Sequence, residues 1–151
     1  MTAPGRPSPP PAASLLRPVL GLMAGLGITV AIVVVGVLIS TLLAMRGQDS
    51  QHYVAPFWTY PTHLLIIAVG AAAGGAITGR ITAERSAYSV FLLALILLMS
   101  AVGPLLRHVP PAPGQPQWFA LALVFVNPLA ALTAGLLTRR VDAHRRAAGA
   151  S

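Results

Sequence analysis

The chain has 151 residues, 56% of them apolar and 9% charged, where a soluble domain carries roughly 25% charged residues. Its net charge of +7 comes from arginine alone, and it has no cysteine, which excludes disulfides, thiolate metal ligands and cysteine-linked lipids. The arginines gather at the ends of apolar runs, which argues against nucleic-acid binding and for a membrane protein fixing its orientation.

Residues 1–14 hold Pro4, Pro7, Pro9, Pro10 and Pro11 among alanine and serine, the composition of a disordered tail. A solvated extension is the plain reading and an SH3-type ligand the sharper one. One transmembrane domain is expected over residues 15–140, followed by a basic tail over 141–151. The first helix is predicted over residues 18–45, with Pro18 in its first turn, where a missing N–H costs nothing. Its apolar run exceeds the roughly 20 residues that a bilayer core requires, so a tilted span is expected. It is also longer than a signal-peptide core of about 7 to 15 residues, and no A-x-A pattern follows, so a retained anchor is expected. Gly21 and Gly25 form a small-xxx-small pair, and Thr29, Ser40 and Thr41 can bond back to their own helix.

The first loop turns aromatic at Tyr53, Phe57, Trp58 and Tyr60, residues that favour the headgroup level. The second helix is predicted over residues 62–83 and carries V-G-A-A-A-G-G-A-I-T-G-R-I at 69–81. Gly70, Gly74, Gly75 and Gly79 make two overlapping small-xxx-small pairs there. Glycine in a helix costs about 1 kcal/mol relative to alanine in water; in lipid it lets another helix come close. Two readings follow: an internal packing seam, or a contact face for a partner or a second copy. A short turn with Glu84 and Arg85 follows, with Arg80 and Glu84 spaced to pair, and makes helices two and three antiparallel neighbours. The third helix, over 87–106, is leucine-rich and is expected to fill the volume that the glycines leave. The fourth, over 117–138, starts with Trp118 and Phe119 and has Asn127-Pro128 at its middle.

Four spans put both termini on one side. That side holds Arg6, Arg17, Arg80, Arg85, Arg139, Arg140, Arg145 and Arg146, while the other holds Arg46 and Arg107. The positive-inside rule therefore predicts cytoplasmic N and C termini. The basic C-terminal residues can set this topology and also bind anionic lipid heads.

Chemistry is sparse. Pro128 frees a carbonyl near Val124, and a mid-membrane asparagine wants a partner such as a neighbouring backbone or Ser100. A hinge or a polar substrate path is the functional reading of Asn127 and Pro128. His52, His63 and His108, with Asp49, share the outer side, but their spacing matches no metal motif, so no metal and no cofactor are expected. Asp49, Glu84 and Asp142 all lie outside the spans, which disfavours proton-coupled transport. No nucleophile elbow, Walker loop or paired acid is present, so no enzyme and no catalytic residue are expected.

The G-G-x-x-x-G-R-I run at 74–81, the glycine-bearing first helix, the leucine-rich third helix and Pro116-Gln117-Trp118 resemble a loose, uncharacterised group of small bacterial four-helix inner-membrane proteins. The resemblance covers about residues 18–140. Members of the group often begin the third helix with a histidine, where this chain has Tyr88. The resemblance implies a multi-pass all-α bundle in the bacterial cytoplasmic membrane and carries no activity with it. Arginine without lysine also suggests a GC-rich bacterial genome. The function expected is that of a non-enzymatic integral membrane protein, an accessory subunit with a membrane-protein partner or self-association. The alternative is a small transporter or channel subunit acting as an oligomer.

Overall fold

A computed structural model describes residues 11–46, 55–82, 87–106 and 115–149. It is all-helical, with α1 at Pro11–Ala44, α2 at Thr59–Ile81, α3 at Tyr88–Leu106 and α4 at Gln117–Ala148. Each helix is long and apolar enough to cross a membrane. Asp49, His52, Tyr53, Glu84, Arg85, Arg107 and His108 lie outside the described residues, as do residues 1–10.

The two outer helices run beyond their expected bounds. α1 starts at Pro11, so Pro18 lies inside it. Proline at the first turn needs no N–H partner, and alanine and leucine then propagate the helix. α4 continues from the apolar stretch through Arg139, Arg140, Arg145 and Arg146. Alanine and arginine are good helix formers, and cations in the last turn complement the negative end of the helix dipole.

α2 is the spine. It packs extensively against both α1 and α4, while α1 and α4 do not meet. α3 lies mainly on α4 and touches α1 and α2 lightly. Gly21 lies against Thr82 and Gly36 against Ile66, so α1 and α2 are antiparallel. Gly75 faces Ala131 and Gly79 faces Gly135, so α2 and α4 are parallel. The start of α1 and the ends of α2 and α4 therefore share one end of the bundle.

The interior is small and the exterior bulky. The core cluster joins Ala71 of α2, Leu93 and Leu97 of α3 and Ala131 of α4, with Leu22 and Leu26 of α1 beside it. Val34, Leu38, Phe125 and Leu129 all leave more than half their surface outside. Soluble monomers rarely expose contiguous apolar patches beyond a few hundred Å2, and here apolar residues cover the helices' outer faces.

Helices α2 and α3 are antiparallel and in contact, as the short link between them requires, although α3 lies chiefly on α4. One sequence expectation about α3 is corrected. Its leucines pack at Ala71 rather than filling the glycines themselves, because backbones from α1 and α4 close directly on those. The hollow that α3 fills lies at Gly135 of α4, where a Cβ would come 2.6 Å from Cγ1 of Val90.

Candidate functional site

The glycine run on α2 is two rows of small residues side by side. Gly70, Gly74 and Thr78, spaced by one turn, face α1, and Ala71, Gly75 and Gly79 on the adjoining row face α4. On the first row the contact is nearly reciprocal. A Cβ on Gly25 would run into Thr78 Oγ1, and one on Gly74 into Thr29 Oγ1. Gly25-x-x-x-Thr29 on α1 thus meets Gly74-x-x-x-Thr78 on α2 head to tail. Thr78 donates across the crossing to the Gly21 carbonyl at 3.1 Å, whereas Thr29 donates to Gly25 of its own helix at 2.9 Å. Thr82 continues the row, donating to Thr78 O at 2.7 Å.

On the second row backbone meets backbone. A Cβ on Gly79 would lie 2.5 Å from the Gly135 carbonyl oxygen and 3.1 Å from its Cα. Gly75 is placed likewise against the backbone of Ala131. Thr29 bonds back to its own helix, as the sequence indicated; the signals missed were Thr78, four residues after Gly74, and Ala131-x-x-x-Gly135, a further small pair on α4.

Asn127 lies one turn before Ala131, which by register sets it at the level of Ala71. It is buried, at 9% exposure, and its Oδ1 has no hydrogen-bond partner. Pro128 follows inside the unbroken α4 and cannot donate to the Val124 carbonyl. Ser100 does not serve Asn127, because its hydroxyl is given to Leu97 O at 2.8 Å. The result is a buried acceptor beside a proline-freed carbonyl, which is polar without being ionisable.

His63 does find a partner, and the sequence did not indicate which. Its Nε2 lies 2.8 Å from Ser40 Oγ on α1. Ser40 in turn donates to Val37 O at 3.0 Å. With the serine proton so used, Nε2–H is the donor to Ser40 Oγ, a tautomer assigned from the network. The pair resembles half of a hydrolytic triad, yet Ser40 is buried near the C-terminal end of α1, where the neighbouring backbone N–H groups are engaged in the helix ladder. An oxyanion hole needs free N–H donors, so the geometry favours a clasp between α1 and α2. His52 and His108 lie outside the described residues. Among the described residues, no three His, Cys, Asp or Glu side chains come together as metal ligands.

Above these contacts is an aromatic cluster. Tyr60 meets Phe119 edge to face at 5.5 Å, and Trp118 meets Phe57 at 6.5 Å and Phe119 at 5.9 Å. Such pairs add about 0.5–1.5 kcal/mol each beyond area burial, and they tie the first turn of α4 to the start of α2. Thr59 is enclosed there with its Oγ1 unpartnered. The chain matches no protein-family model, no curated protein sequence and no solved structure.

Proposed function

We propose that the protein is a four-span integral membrane protein of a bacterial cytoplasmic membrane, with both termini cytoplasmic, and that it acts without catalysis as an accessory subunit. The observation that carries this reading is the standing of α1. That helix joins the bundle chiefly through one narrow stripe of Gly21, Gly25, Thr29, Ser40 and Ala44 against α2 and does not meet α4. Its opposite faces present Met23, Val30, Val34, Leu38 and Leu42 outward. Lipid tails cover such faces as readily as protein does, so close packing of small residues and interhelical hydrogen bonds are what tie helices together in a bilayer. The polar groups that contact the seam, Thr29, Thr78 and the Ser40–His63 pair, are spent on helix contacts.

A photocrosslinker placed at Val34 in the native membrane tests the reading. A discrete protein adduct that also co-purifies in mild detergent supports a partner. Adducts to lipid alone, with a lone monomer recovered, overturn it. A second reading, a transporter or channel subunit, is favoured by one observation, the unpartnered Asn127 Oδ1 at mid-span. Solute flux in liposomes that falls with Asn127→Leu would support that reading; unchanged flux removes Asn127 from any path.

A further inference from the structure

We propose that Arg139 and Arg140 of α4, with Leu136 and Ala143, form a binding site for the headgroup phosphate of an anionic phospholipid. The proposal rests on the four-span reading. These residues stand at i, i+3, i+4 and i+7 of one helix face and line a shallow hollow of about 300 Å3. Each contributes something a lipid phosphate needs. The guanidinium groups are permanently charged and forked, a geometry that matches phosphate oxygens two at a time. Ala143 is too short to fill the space below them. Leu136 sits on the apolar side, where an acyl chain would continue.

The level is also right. At 1.5 Å rise per residue, Arg139 lies roughly 30 Å along α4 from Trp118, about one hydrocarbon thickness. Trp118 belongs to the aromatic cluster at the opposite end, so the arginines fall at the headgroup level of the other leaflet. The surroundings add charge of the same sign. Gly79 against Gly135 brings Arg80, exposed in the last turn of α2, to the same end of the bundle. Residues 139–146 carry Arg139, Arg140, Arg145 and Arg146 against Asp142, the one acidic side chain among the described residues. A phosphate with an attached acyl chain, held at that depth, is what a phospholipid supplies and a soluble anion does not.

The test uses the full chain in phosphatidylcholine nanodiscs containing a minor fraction of phosphatidylglycerol, with retained lipids counted by native mass spectrometry. Retention should favour phosphatidylglycerol. R139Q with R140Q should lower that preference about 25-fold, about fivefold for each arginine, equivalent to about 1 kcal/mol each. R139K with R140K keeps the charges that set orientation and should lose only about threefold, while R46Q at the other end should change nothing. Equal retention of both lipids with normal incorporation overturns the site and leaves the four-span reading intact. Failure to enter phosphatidylcholine nanodiscs at all overturns the four-span reading itself. Displacement of the bound lipid by millimolar inorganic phosphate overturns the lipid in favour of a soluble anion. An unchanged preference in R139Q with R140Q overturns the assignment to these residues.

Discussion

Gly75→Ala adds one methyl group where α2 and α4 touch through their backbones, and it should weaken the fold despite improving helix propensity. The added Cβ would lie 2.8 Å from both Cα and the carbonyl carbon of Ala131 and still nearer that carbonyl's oxygen. Ordinary contacts of this kind need about 3.5 Å or more, and no side-chain rotamer can yield because the obstacle is main chain. The helices must part, and that loosens the Gly79–Gly135 contact one turn on. Overpacking of this sort costs about 1–3 kcal/mol, and forced separation of two backbones belongs at the upper end. Alanine returns about 1 kcal/mol of propensity, so a net loss of about 2 kcal/mol is expected. Gly27 and Gly103 supply the control, since a Cβ at either would meet nothing within 4 Å. Gly27→Ala should be neutral or stabilising by up to about 1 kcal/mol. Steric-trap unfolding in bicelles measures each difference directly. A Gly75→Ala variant as stable as the parent would refute the backbone contact, and with it the role of the second glycine row.

Other substitutions probe the remaining contacts. Thr78→Val keeps the shape but removes the bond to Gly21 O, and should cost about 0.6–1.7 kcal/mol in the same assay; Thr133→Ala, exposed and bonded only within α4, should change nothing measurable. Ser40→Ala should lose a similar amount by leaving His63 without its acceptor, and His63→Leu combined with Ser40→Ala should be less costly than the two separate losses added together, as a double-mutant cycle would record. Asn127→Leu should be neutral or stabilising by about 1 kcal/mol, because it removes a buried acceptor with no partner; a loss above that size would mean that Oδ1 is bonded in the membrane.

The four long apolar helices were legible because hydropathy acts over whole helices, and the core of each expected span lies within an observed helix. Which helix touches which was less legible. The bulk of α3 suggested that its leucines would fill the volume left by the glycines, but bulk does not decide which neighbour comes closest. Small residues decide contact in lipid, and the row Ala131-x-x-x-Gly135 on α4 offered α2 a closer approach than the leucines of α3. The glycines themselves were legible as a seam, though not which glycine faced which neighbour. His63 and Ser40 lie in different helices, and no spacing rule connects residues across an antiparallel crossing until the register is known. Register here is set by Gly25 against Gly74, a contact that the sequence presents only as two unrelated small pairs.

The two-row arrangement also explains why α2 rather than a bulkier helix occupies the centre. Each turn of α2 along the seam offers two adjacent small residues, Gly70 with Ala71, Gly74 with Gly75, and Thr78 with Gly79. A helix with one small row can hold one close neighbour. Two rows side by side on one helix hold two neighbours on adjoining faces, which is how α1 and α4 both reach α2 without meeting each other. On the four-span reading no hydrophobic force draws these helices together in lipid, so close backbone approach, Thr78 and the Ser40–His63 clasp supply the attraction. The cost falls on α1, which is held along a single stripe and turns the rest of its apolar surface outward. By the same register Asn127 stands level with Ala71, the first residue of the second row, and there its Oδ1 is enclosed without being satisfied.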